Sequence, residues 1–302
     1  MDTKSIFFFY PACFLWENTI NLALQNICKQ HQYTYKPLRY SNGYQNLLRD
    51  VSIDEQCKLA FFEHNPNFNN ADFKIVKEKL PNAKIIMFGS DTIYYGGPQA
   101  ICWPIDLLID TIKRMVNECE RCPAEHYYWN ISESIIEQIS KCKLSDIKNK
   151  RLISLCRDAS GERVSFFNIL HDCGYPVSWN LKLYNHADIY YAYSQHEFVL
   201  GHTTPVFSSR DRTMKGWRDW LAPFCYTVLI YDDYPDILDI GQDIVPTYTY
   251  LDQNSVVNLV KKIYDNPTLY NTYLLKQRDW ALNNTLEKQL TRILIKHKML
   301  EE

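Results

Sequence analysis

Arg212, Lys215 and Asp219 stand in one short charged run, Ser208-Ser-Arg-Asp-Arg-Thr-Met-Lys-Gly-Trp-Arg-Asp-Trp-Leu-Ala222. Its spacing predicts a turn that enters a helix. Two cations at such an entry add their charge to the free N–H groups and dipole of the helix start, a combination that holds phosphate oxygens. Asp219 follows Lys215 by four residues, so a plain i, i+4 ion pair on a solvated helix is the competing reading. A second run, Arg157-Asp-Ala-Ser-Gly-Glu-Arg163, places Arg157, Ser160, Gly161 and Arg163 where a Gly-containing loop opens a helix. That is the generic geometry of a phosphate approach, and also of an ordinary strand–helix turn. His196 and His202 bracket Glu197-Phe-Val-Leu-Gly201; this is not the spacing of two zinc-binding histidines on a helix, but it suits a ligand contact. His64 and Asp91 follow apolar runs and are the two groups able to take a proton from a hydroxyl near neutral pH, or else simple turn residues.

These groups need a frame. Apolar runs Ile6–Tyr10, Tyr33–Leu38, Lys58–Phe62, Lys84–Phe88 and Ile105–Ile109 read as strands, with helices predicted over Asn18–Gln30 (Asn18 as N-cap) and Phe73–Leu80, stopped by Pro81. The segment from Cys122 to Trp129 reads as irregular, Ser132–Ser140 as a helix and Lys143–Arg151 as a polar connection. Alternation then restarts with strand Arg151–Cys156, helix Glu162–Cys173 closed by Gly174, strand Ile189–Tyr193 and strand Tyr226–Tyr231. The last ends in Asp232-Asp-Tyr-Pro-Asp236 and is followed, after a short irregular segment, by the stretch Asp252–Pro267 and a terminal helix over Leu274–His297. Strand–helix alternation implies parallel sheets, whose ligands bind beyond the carboxyl ends of the strands.

The order of pieces from Arg212 to Leu294 (basic residue, acidic residue on a helix, strand, aspartate, terminal helices) resembles the second lobe of GT-B superfamily glycosyltransferases. The spore-maturation-type and exostosin-like enzymes are nearest in pattern. The Gly that usually follows the helical acid is replaced by Leu221-Ala-Pro-Phe-Cys-Tyr226. The resemblance implies an α/β fold of two Rossmann-like domains facing each other across a cleft, residues 1–148 on the acceptor side and 149–302 on the donor side. The implied activity is transfer of a hexosyl or pentosyl group from a nucleotide sugar to a glycan or other hydroxyl acceptor, with no cofactor and no metal. Donor binding falls to Arg157, Ser160, Gly161, Arg163, His196, His202, Arg212, Lys215 and Asp219, with Asp219 on the ribose hydroxyls; His64 or Asp91 is the base. The eight residues from Asp211 to Asp219 echo retaining families, whereas the strand–aspartate order echoes inverting ones. A nucleotide-sugar epimerase of the same fold, or a non-catalytic nucleotide- or glycan-binding module, fits the same pattern.

Composition sets the outer limits. The chain has 302 residues, is 46% hydrophobic and 14% aromatic, and carries a formal net charge of -2. It can build real cores, and overall charge does not drive it to nucleic acid. Most of its 22 tyrosines and 7 tryptophans must pack, though some can stack on sugar faces. The ten cysteines lie mostly in apolar runs, as reduced thiols of a cytoplasmic protein do. Cys119-Glu-Arg-Cys122 with His126 lacks a second ligand pair for zinc. The apolar start from Ile6 to Trp16 is interrupted by Pro11 and reads as a buried strand, and no stretch reaches the roughly 20 apolar residues of a membrane helix.

Overall fold

The computed structural model describes residues 4–11, 17–40, 48, 50–63, 70–89, 105–111, 113–128, 130–155, 161–179, 181, 186–201, 204–206, 208–213 and 219–301. The chain forms two compact units. The first takes Met1–Tyr128, Val206–Asp211 and Leu286–Glu302; the second takes Trp129–Pro205 and Arg212–Thr285.

Six strands build the sheet of the first unit: β1 (Ser5–Pro11), β2 (Thr34–Tyr40), β3 (Cys57–Glu63), β4 (Lys84–Gly89), β5 (Leu107–Asp110) and β6 (Ala124–His126), in the order β2-β1-β3-β4-β5-β6. All its pairings are parallel. The strands are apolar on both faces because both faces are covered. Phe9 stacks on Phe62 with ring centroids 4.4 Å apart, and Phe61 on Phe88 at 5.5 Å. Helices α1 (Glu17–Gln30) and α2 (Asn70–Lys79) carry the predicted apolar stripes. Asn18 lies one residue inside α1 instead of capping it. The stretch after Cys122, expected to be irregular, supplies the edge strand β6, which comes after the short helix α3 (Lys113–Asn117). His126 on β6 is bound through Nε2 to the Thr111 carbonyl at 3.1 Å, and burial lowers its pKa to about 4.

The second unit begins with α4 (Glu133–Lys141), a helix where one was expected, with Ser132 as its cap. It continues through β7 (Lys150–Ile153), α5 (Gly161–Asp172), β8 (Val177–Ser178), α6 (His186–Ser194) and β9 (His196–Leu200). Strands β10 (Thr204–Val206) and β11 (Ser208–Thr213) pair with each other in a separate two-stranded sheet, whose residues Val206–Asp211 belong to the first unit. Next come a 3-10 helix over Asp219–Cys225, β12 (Val228–Asp232), α7 (Pro235–Ile240), β13 (Thr247–Tyr248), α8 (Gln253–Tyr264) and α9 (Pro267–Asn283). The five-stranded sheet runs β13-β12-β9-β7-β8, all parallel. Helix α5 closes with Gly174 at φ 82°, Tyr175 N–H on the Leu170 carbonyl and Gly174 N–H on that of His171, the two bonds that a left-handed glycine permits.

Three expectations change here. Ile189–Tyr193 is helix, not strand: Ile189, Tyr190, Ala192 and Tyr193 are buried while Tyr191 is 48% exposed, a period of 3.6 instead of 2. The charged run opens as strand β11, not as a turn into a helix, and the only helical part described is the 3-10 helix from Asp219. The single terminal helix is two, α9 and α10 (Leu286–Lys296). Buried Asn130 donates to the carbonyls of Ala281 (3.3 Å) and Asn284 (2.8 Å), taking up the end of α9. Helix α10 belongs to the first unit, where Glu287 accepts from Asn26 at 2.9 Å.

At the amino end of the second sheet, His196 is 1% exposed. Its Nδ1 faces the Ala192 carbonyl at 2.6 Å and its Nε2 the Ser178 hydroxyl at 2.8 Å. Burial, with Lys150 and Lys148 nearby, lowers its pKa from 6.5 to about 4. An unfolded imidazole takes a proton below 6.5 that the folded one refuses until about 4. Stability from this residue is therefore full above pH 6.5 and lost as pH falls through that window. Urea midpoints at pH 7 and pH 5 should differ less in His196→Gln than in the parent; an equal difference would remove His196 as the cause.

Further along the same sheet, Gln277 is fully buried and finishes strand β12. Its Oε1 accepts from Leu229 N–H at 2.9 Å, and its Nε2 donates to the carbonyls of Leu229 (2.7 Å) and Ile244 (3.0 Å). Strand β13 pairs only with Tyr231 and Asp232, so Leu229 meets a side-chain amide in place of a neighbour strand. Gln277→Leu leaves these groups buried without partners and should lower unfolding free energy by roughly 3 kcal/mol in denaturant titration, the range for stranded polar groups.

Candidate functional site

The carboxyl ends of β9, β12 and β13 lie side by side because these strands are parallel neighbours, and several polar side chains of the second unit gather there. Gly201 comes directly after β9. Tyr231 and Asp232 end β12, and Tyr248 ends β13. Tyr248 Oη donates to the Gly201 carbonyl at 2.6 Å. A Cβ built on Gly201 would overlap the Tyr231 ring, so glycine is the residue this close approach requires.

Tyr231 is fully buried, and its hydroxyl bonds the carboxylate of Asp219. Burial and the carboxylates of Asp219 and Asp232 raise its pKa well above the ordinary phenol value, so it remains the donor in that bond. Tyr248 is raised by burial and then by Asp232. Arg163, in the first turn of α5 and 8% exposed, lies within electrostatic reach of both phenols. One guanidinium and two carboxylates, Asp219 half-buried and Asp232 buried, thus lie near two neutral tyrosines, of which Tyr231 bonds Asp219.

The apolar stretch directly after Asp219 fixes it in place. Trp220 to Cys225 are all buried, and Trp220 stacks on Trp280 of α9 with ring centroids 4.2 Å apart. Pro223 has no N–H to donate and interrupts α-helical bonding within this segment. The residues standing where the resemblance has a Gly are therefore an apolar plug that anchors the carboxylate.

Of the expected site residues, the structure brings Arg163 and Asp219 to this end of the sheet. Gly161 opens α5. His196 is not in a loop at the ligand end: it starts β9 at the opposite end, with both ring nitrogens engaged. Arg212 lies in strand β11. His64, Asp91, Arg157, Ser160, His202 and Lys215 lie outside the described residues. Gly201, Tyr231 and Tyr248 were not singled out from sequence. Their signal was present in part, since Gly201 and Asp232 each stand directly after an apolar run. Among the described residues, no group of three His, Cys, Asp or Glu is placed to hold a metal ion, and no helix is long and apolar enough to cross a membrane.

No family model and no curated protein matches the sequence. Solved structures do match the fold. A trehalose-6-phosphate protein from E. coli bound with UDP-2-fluoro glucose superposes with a TM-score of 0.68 at 9% identity, covering 99% of this chain and 100% of that one. Anabaena HepE in complex with UDP and glucose gives 0.60 at 10% identity, covering 97% and 100%. A glycosyltransferase from Rickettsia africae gives 0.58 at 9% identity, covering 99% and 98%. At such identities the likeness speaks for architecture, and with two parallel sheets in two Rossmann-like units that architecture is the α/β GT-B fold.

Proposed function

We propose that this protein is a glycosyltransferase that moves a sugar from a nucleoside-diphosphate sugar to a hydroxyl acceptor, without a metal ion. The observation that carries the reading is the convergence of Arg163, the Tyr231–Asp219 pair and Gly201 at the carboxyl end of the second sheet. Support comes from the ligands named with the similar structures, UDP-2-fluoro glucose and UDP with glucose.

In such a transfer the acceptor oxygen bonds the anomeric carbon while the bond from that carbon to the diphosphate oxygen breaks. The acceptor proton passes to a base, and negative charge grows on the leaving diphosphate. Arg163, the N–H groups opening α5, and Arg157, Arg212 and Lys215 are the cationic and polar groups assigned to that charge. Asp219, oriented by Tyr231, accepts from ribose hydroxyls. His64 and Asp91, which come after β3 and β4 in the first unit, are the candidates for the base.

Calorimetric titration with a panel of nucleoside diphosphates tests the reading most cheaply: uridine or another single base should bind, and silence across the panel would falsify it. Steady-state kinetics against donor concentration separate the roles. Arg212→Ala should lower turnover by on the order of 100-fold while donor affinity falls less, because the charge it meets is larger in the transition state. Asp219→Ala should weaken donor affinity with turnover at saturation nearly kept, because a ribose contact is alike in both states. Tyr231→Phe keeps the ring over Gly201 and removes only the bond to Asp219, so the donor KM should rise roughly fivefold, the worth of one hydrogen bond of about 1 kcal/mol. Unchanged KM in Tyr231→Phe alongside a raised KM in Asp219→Ala would reject the orienting role and keep the ribose contact.

A further inference from the structure

We propose that Cys119 and Cys122 form an oxidisable dithiol, a modification site that closes to an intramolecular disulfide by exchange with a disulfide-bonded thiol compound. The two residues lie in the turn between α3 and β6, and their Sγ atoms are 3.6 Å apart. Cys119 Sγ also donates to the Cys122 carbonyl at 3.6 Å, so the first thiol already leans over the second residue. Both are free and half-buried, and both side chains pack against the core of the first unit, which fixes their separation before any bond forms. Between them, Glu120 and Arg121 are exposed, leaving the outer side of the turn open to a reagent. Among the described residues no group of three His, Cys, Asp or Glu that could hold a metal ion includes these thiols.

The steps balance as a two-electron oxidation. The Cys119 thiolate attacks one sulfur of R–S–S–R and expels R–S⁻, giving a mixed disulfide. Cys122 then gives up its proton and attacks the Cys119 sulfur, expelling the second R–S⁻. Two protein thiols have lost two hydrogens, and one disulfide has become two thiols. Burial, and then the neighbouring Cys119, push the Cys122 thiol up to about 12, so little of it is thiolate at neutral pH and its attack depends on the 3.6 Å approach of the two sulfurs.

The test uses the full chain in buffers of increasing oxidised-to-reduced glutathione ratio, quenched by alkylation and mapped by mass spectrometry. The peptide holding both residues should lose two hydrogens and carry no glutathione. Its half-oxidation ratio should lie at least about tenfold below the ratio at which the exposed Cys173 becomes glutathionylated. In Cys122→Ser the second step is absent, and glutathione should remain on Cys119. If both cysteines in the parent stay alkylatable when Cys173 has reacted, or take up glutathione separately, the proposal is wrong.

Discussion

The tight seat of the Tyr231 ring over Gly201 is the constraint on which the second unit's site depends. Strands β9 and β12 are hydrogen-bonded neighbours, so their ends arrive together, and a side chain on Gly201 would stand where the ring lies. With the space empty, the ring packs flat and its hydroxyl reaches Asp219, while Tyr248 reaches across to the Gly201 carbonyl. Three strands and the 3-10 helix are thus tied through one missing methyl group. The arrangement is rigid because each phenol is buried and each has a specific acceptor, the condition under which polar groups inside a protein stabilise it instead of straining it.

Side-chain amides do similar work where a sheet or helix stops. Gln277 takes the place of a neighbour strand for Leu229, and in the first unit Gln289 does the same for Tyr128, accepting its N–H and donating to its carbonyl, each at 2.9 Å. Asn130 receives the last carbonyls of α9. The chain therefore leaves α9 without stranding these backbone groups. An apolar residue at any of the three positions would satisfy packing and fail hydrogen bonding.

Much of the fold was legible in the sequence because strands covered on both faces are continuous apolar runs, and helices between them show their stripes and caps. Gly174 and the helix after Ser132 were readable for that reason. Ile189–Tyr193 was not, because isoleucine and tyrosine favour strands locally, and only the burial of four residues around exposed Tyr191 makes the segment a helix. The displaced strand then began at His196, which moved that histidine from the ligand end to the amino end. Arg163 and Asp219 were legible as charges next to predicted elements. Tyr231 and Tyr248 were not, because a tyrosine that orients a carboxylate and one that merely fills a core look alike until the sheet order is known.

The two ends of the second sheet differ in what their polar groups are free to do. At the amino end, Lys148 donates to the His196 carbonyl at 2.6 Å and to the Thr227 hydroxyl at 3.2 Å, and burial lowers its pKa to about 8. Thr227 in turn donates to the Tyr193 carbonyl at 2.7 Å, and neutral His196 donates from Nδ1 to the Ala192 carbonyl and accepts at Nε2 from the Ser178 hydroxyl. These partners are all internal, so a ligand would have to break bonds that the fold itself uses. At the carboxyl end, the tyrosines are satisfied from behind, and the half-buried Asp219 accepts from the Tyr231 hydroxyl. A partly exposed carboxylate already oriented by a buried donor needs little reorganisation to meet a hydroxyl, and under the proposed function that difference favours the carboxyl end over the equally polar amino end.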